Sequence, residues 1–127
     1  MLAKFKNTFL IILLCLINVH SYAENKLPDT LYAKVIRVVD GDTIHLNGEK
    51  IRFTGIDTPE LKQTCIKEEI KDYCGVTAKK ILIDKIANKA IECISEGKDQ
   101  YKRTLAECFV NNESLSRYLV RSGYAFA

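Results

Sequence analysis

The segment VVDGDTIHLNGEKIRFTGIDTPE, residues 38–60, decides how the rest of the chain is read. Residues 43–46 and 51–56 have the β-branched, alternating character of strands. Between them Asn47-Gly48 is the strongest short hairpin signal, because both residues tolerate φ > 0 in a type I′ turn. Ile51 and Phe53 then share one face of the return strand and Arg52 takes the other. The same hairpin carries Asp40, Asp42, Asp57 and Glu60 around a single arginine. Acids are unfavourable on strands, and four together repel one another unless a cation or an arginine sits among them.

Outward from the hairpin, residues 31–39 (LYAKVIRVV) predict a preceding strand, joined to Thr43 by a break at Asp40-Gly41. Residues 61–73 are polar and lysine-rich without a clear period, and read as a loop. A helix is predicted over 76–87, where Ala78, Leu82 and Ile86 recur at four-residue spacing, Ile83 widens the stripe, and Lys79, Lys80 and Lys85 lie outside it. Residues 90–94 predict a short strand, SEGKDQ (95–100) an exposed turn, and 104–110 another strand. Asn112 is placed to cap a last helix bearing Leu115, Tyr118 and Leu119, with Gly123 ending it. Three strands, a helix, two strands and a helix in this length match a five-stranded OB-type barrel, mainly β with helices, better than a sandwich or a doubly wound sheet.

The chain has 127 residues, and the first 23 read as a targeting segment. Lys4 and Lys6 precede the apolar run FLIILLCLINV, and Ser21-Tyr22-Ala23 forms a small-x-small cleavage site before Glu24. The run is shorter than the roughly 18 residues that span a bilayer, so no stable membrane association is expected after cleavage. Leu14 before Cys15 speaks against a lipidated cysteine. Residues 24–127 are then one small domain, with 17 basic against 16 acidic residues. A net charge of +1 carries no signal for nucleic acid, so any anion site must be local. Four cysteines remain, Cys65, Cys74, Cys93 and Cys108. An even count in a small exported domain reads as two disulfides, with the pairing open. Zinc is the weaker reading, because no close C-x-x-C pair is present.

Asp42, Asp57 and Glu60 are hard oxygen ligands, suited to an open divalent-cation site completed by water and a substrate oxygen. Such a cation beside two guanidinium groups is what phosphodiester cleavage requires, and Arg103, opening a strand after the exposed turn, supplies the second one. In this order VVDGDTIHL, IRFTGIDTPE, DQYKRTLA and LVRSGYA closely resemble the staphylococcal nuclease-like (thermonuclease) family, from about Leu31 to the last residue. The resemblance implies that Asp42 and Asp57 ligate Ca2+ through their carboxylates and Thr58 through its backbone carbonyl, with Asp40 structural. It further implies that Glu60 handles the attacking water, that Arg52 and Arg103 grip the scissile phosphate, and that Tyr101 lies at the nucleotide site. Cleavage of DNA and RNA to 3′-phosphate ends and an OB barrel complete what is implied, while the targeting segment points to a secreted or periplasmic location and a monomer is expected.

The resemblance also implies pairing of Cys65 with Cys74 and of Cys93 with Cys108, as in a subset of exported bacterial members. Two positions depart from the pattern: Gln100 replaces a phosphate-touching lysine, and Lys102 replaces the glycine of D-x-Y-G-R, which is expected to perturb the turn aiming Arg103. Family members continue beyond the position of Ala127 with aromatic and basic residues and a final helix, so this helix is expected to be missing. The alternative to an active enzyme is then a catalytically impaired, truncated OB-fold protein that binds nucleic acid. His45 reads as an exposed strand histidine and Lys62, Lys67 and Lys71 as a solvated loop, while the sequon Asn112-Glu113-Ser114 coincides with the helix cap.

Overall fold

The computed structural model describes residues 29–127, so the targeting segment lies outside the described residues. Among the described residues eight strands and two helices follow in order: β1 (Thr30–Val38), β2 (Thr43–Leu46), β3 (Glu49–Phe53), β4 (Cys65–Lys67), β5 (Ile70–Asp72), α1 (Cys74–Ile86), β6 (Ala90–Lys98), β7 (Thr104–Val110), β8 (Glu113–Ser114) and α2 (Leu115–Arg121). The main sheet runs β3-β2-β1-β6-β7-β8, and β3 also pairs with β7. That last pairing closes five strands into the expected barrel, leaving β8 as an appendage. Asn47 and Gly48 take φ of 51° and 82°, as a type I′ turn demands.

Alternation explains which side chains fill the barrel. Along β7, Thr104, Ala106, Cys108 and Val110 are buried while Leu105, Glu107 and Phe109 are half-buried. Ile44, Leu46, Ile51, Phe53, Ile91 and Cys93 meet them from the other strands, and Leu82 and Ile86 of α1 and Leu115 and Leu119 of α2 complete the core. Cys93 lies directly opposite Cys108 in the β6–β7 register, and the two form a disulfide. Cys65 and Cys74 form the second. Among the described residues no helix is long and apolar enough to cross a membrane.

Several local expectations are corrected. Residues 61–73 are not all loop, since β4 and β5 pair as a hairpin whose turn residues Glu68 and Glu69 both adopt positive φ. Two glutamates give no turn signal, because left-handed backbone is unusual for them. The helix α1 starts at Cys74 rather than Val76, and Ile83 is 45% exposed, its expected place on the stripe being taken by the half-buried Ile81. Strand β6 continues to Lys98, paired with Thr104 past an irregularity at Gly97, which shortens the turn to residues 99–103. Ser114, not Asn112, caps α2, accepting a hydrogen bond from Arg117 N at 3.2 Å. Asn111 and Asn112 instead form the left-handed turn between β7 and β8. Gly123 follows the end of α2, its N–H donating to Val120 O.

The Cys93–Cys108 bridge joins strands of a small core, and both sulfurs belong to fully buried residues. Replacing both by alanine is expected to lower stability by about 2–4 kcal/mol. Urea unfolding of the oxidised proteins measures this directly, and an unchanged midpoint would contradict the role given to the bridge.

Candidate active site

The barrel closure brings the two arginines together. In the parallel β3–β7 register Arg52 lies beside Leu105, and Arg103 stands two residues before Leu105, on the same outward face. The connection after β3 contributes Asp57, Thr58 and Glu60, and the bend before β2 contributes Asp40 and Asp42. All of these, with Pro59, line one polar cavity of about 170 Å³. A larger groove of about 450 Å³ passes Thr54, Glu96, Glu107 and Arg117, but only the smaller cavity combines two arginines with carboxylates.

Asp42 is 5% exposed and fully engaged. Its Oδ2 accepts from Thr58 N and Thr58 Oγ1, both at 2.9 Å. Its Oδ1 accepts from Thr43 Oγ1 at 3.0 Å and forms an ion pair with Arg52 Nη1. Three hydrogen bonds and this ion pair together hold the buried carboxylate. Arg52 Nη2 reaches the other way, donating to Asp57 Oδ1 at 2.8 Å and to Ile56 O at 3.3 Å. One guanidinium thus stands between a buried and an exposed carboxylate, the Asp57 side chain being 78% exposed. Behind Asp42 the packing is tight, since a Cβ on Gly41 would come within 2.8 Å of Thr58 Oγ1 and 2.9 Å of the Ala78 Cβ.

These contacts set the titration behaviour. Burial alone pushes the Asp42 carboxyl up, but Arg52 and the Thr58 donors outweigh it and hold the group below the ordinary carboxylate value. Asp40 is raised, first by burial and then by the charge of Asp42, against the hydrogen bond it accepts from Asp42 N. For Arg52, burial acts downward but its two aspartates hold it above its usual value.

On the opposite wall, Asp99 orders the turn before β7. Its Oδ1 accepts from Tyr101 N and Arg103 N, both at 2.9 Å, and its Oδ2 from Arg103 Nε at 2.7 Å. Lys102 adopts φ of 62°, the left-handed backbone that glycine takes most readily, and the turn closes through Asp99 N to Arg103 O and Lys102 N to Asp99 O, both at 3.0 Å. Tyr101 is exposed, with the Arg103 guanidinium 5.6 Å from its ring centre. Asp99 opens the segment DQYKRTLA, but nothing in the sequence marks it as the group that orders this turn. His45 is half-buried rather than exposed, between Arg37 and Lys50 in the strand register.

Among the described residues no three His, Cys, Asp or Glu side chains converge on a common metal position. Asp42, Asp57 and Glu60 all line the one cavity, and Arg52 pairs with both aspartates. The donor set still fits a hard divalent cation in an open shell: two carboxylates beside the Thr58 backbone, whose balance of charge Arg52 now supplies.

Residues 50–127 match the family described as staphylococcal nuclease homologue. The chain belongs to this family. The match includes Arg52, Asp57, Glu60 and Arg103, while Asp42 lies before it. Among its relatives are a succinoglycan biosynthesis protein of Rhizobium meliloti, 35% identical over 69% of this chain and 48% of that protein. A thermonuclease of Staphylococcus hyicus is 33% identical over 74% and 57% of the two chains. An uncharacterized endonuclease of Haemophilus influenzae is 30% identical over 74% and 51%. The chain thus spans about half the length of these relatives.

The lowered Asp42 value has a definite sign. Its stabilising contribution is present above the unfolded value of 3.8 and is lost as pH falls through the lower folded value. Melting temperatures of the wild type are expected to fall on acidification below about pH 4, and less steeply in Asp42→Asn. Equal slopes in the two proteins would remove Asp42 from the acid transition.

Proposed function

We propose that the chain is an exported, calcium-dependent endonuclease that hydrolyses phosphodiester bonds of DNA and RNA and leaves 3′-phosphate ends. The observation that carries this reading is the convergence of Arg52, Arg103, Glu60, Asp42 and Asp57 on one polar cavity. Its support from kinship is membership of the staphylococcal nuclease homologue family. Two disulfides fit an oxidising compartment, secreted or periplasmic.

In this reading Arg52 and Arg103 bind the non-bridging oxygens of the scissile phosphate and meet the charge that builds there as water adds. Arg52 is held from behind by Asp42 and Asp57, and Arg103 by Asp99, so both enter the reaction already oriented. The exposed Glu60 takes the proton of the attacking water. Phosphorus gains the hydroxyl oxygen, the P–O5′ bond breaks, the leaving 5′ oxygen takes a proton from solvent, and the phosphate stays on the 3′ side. Tyr101 offers an exposed ring to a neighbouring nucleotide. Asp42, Asp57 and the Thr58 carbonyl would hold Ca2+, which when bound supplies a Lewis acid for the phosphoryl oxygens. The protein acts as a monomer, without stable membrane association.

Purified protein lacking residues 1–23 is expected to degrade single-stranded DNA and RNA with calcium and to stop with a chelator. Arg52→Ala, Arg103→Ala and Glu60→Gln should each lower the rate by about 10²-fold or more. Gel analysis with end-labelled substrate reports both cleavage and the position of the phosphate. Salt-sensitive binding without products would favour the impaired binding protein instead, and undiminished cleavage by the Arg52 and Glu60 variants would refute the proposed machinery.

A further inference from the structure

Glu60 receives neither of the supports that hold Asp42 and Asp57, and its place is set through its backbone. Its N–H donates to Gln63 Oε1 at 3.1 Å, and its carbonyl accepts from Gln63 N at 2.8 Å. Gln63 is itself held from the far side, its carbonyl accepting from Gly75 N at 3.4 Å and lying 3.6 Å from Cys74 Sγ. Since that sulfur is bonded to Cys65 it carries no hydrogen, and the approach is a packing contact. The start of α1 also presses on Glu60 directly. A Cβ on Gly75 would stand 1.8 Å from Glu60 O and 2.5 Å from Glu60 C, and both are backbone atoms that cannot swing aside. A continuous set of contacts therefore runs from the Cys65–Cys74 bridge through Gly75 and Gln63 to the peptide that carries Glu60.

We propose that Gln63, Gly75 and the Cys65–Cys74 disulfide form a clamp that positions Glu60, so that turnover depends on the oxidised state of this one bridge. The proposal rests on the reading of Glu60 as the residue that accepts the water proton. An exposed carboxylate on an untethered loop would sample many positions, and misplacement by an ångström is enough to slow a reaction severely. None of the clamp groups lines the cavity with Arg52 and Arg103. Loosening the clamp should therefore lower kcat and leave KM nearly unchanged, and an unchanged melting temperature separates this from a loss of folded enzyme, which lowers apparent kcat in the same way.

The primary test is Gln63→Met in the oxidised chain, which keeps side-chain length and removes the acceptor. Its kcat is expected to fall roughly tenfold with KM within about twofold and the melting temperature preserved. Gln63→Glu, which restores an acceptor, should recover most of the rate. Cys65→Ser with Cys74→Ser, leaving the other bridge intact, should reproduce the kcat loss. Amide exchange followed by NMR gives a readout that needs no turnover: the Glu60 N–H should be protected in the wild type and exchange at least about tenfold faster in Gln63→Met. Wild-type kcat in Gln63→Met, or equal exchange in both proteins, would overturn the clamp. If Glu60→Gln abolishes cleavage while Gln63→Met does not, only the clamp has failed. If Glu60→Gln cleaves at the full rate, or the wild type does not cleave at all, the underlying reading has failed and takes the catalytic part of the clamp with it.

Discussion

The parallel pairing of β3 with β7 is the constraint on which the rest of the molecule depends. Ile51, Arg52 and Phe53 align with Thr104, Leu105 and Ala106, and this alignment turns an open sheet into a barrel. Without it two strands would present unpaired edges, and the apolar faces of Ile51, Phe53 and Ala106 would lose their cover. A parallel pair also requires a long crossover, here supplied by the β4–β5 hairpin, α1 and β6. The same register sets Arg52 and Arg103 side by side on the outer surface. Stability and chemistry are thus decided by one set of backbone hydrogen bonds.

Charge is then managed differently on the two walls of the cavity. Asp42 has been taken out of water, which is unfavourable unless the charge is paired and hydrogen-bonded; Arg52 pairs with it, and Thr43 and Thr58 donate to it. Asp57 keeps its solvent and shares only one guanidinium nitrogen. Arg52 is consequently fixed at the meeting point of a dry and a wet carboxylate. Arg103 is fixed instead by Asp99, whose carboxylate accepts from both the backbone N and the Nε of Arg103. In a domain of this size, rigid placement of long cationic side chains needs such local anchors.

The connection between β3 and α1 shows the same economy. Bridged by Cys65–Cys74, it is further tied down by Asp72, which accepts from Thr77 Oγ1 at 3.1 Å and from Tyr124 OH at 3.2 Å. Asp57 N and O also exchange hydrogen bonds with Phe126, so the last residues of the chain hold the segment that carries the site. A stretch whose side chains Ile66 and Ile70 remain exposed is therefore ordered by its ends and by polar contacts rather than by burial.

Much of this was legible in the residues alone. The Asn47-Gly48 turn, the alternation along 104–110 and the four-residue stripe of Ala78, Leu82 and Ile86 are local signals, written in φ preference and period within a few positions. The residue types of the site and the cysteine count were equally plain. What the chain did not announce were the β4–β5 hairpin over two left-handed glutamates, the extension of β6 through polar residues, the cap at Ser114 and the part played by Asp99 and Gln63. Each of these is held by partners distant in sequence or by a backbone conformation that its residue type does not favour. The sequence by itself determined those strands and helices that carry a local signal and which chemical groups are available. Only the tertiary structure decided that Arg52 stands between two aspartates and shares a cavity with Arg103, because such convergence follows from the register of strands far apart in the chain.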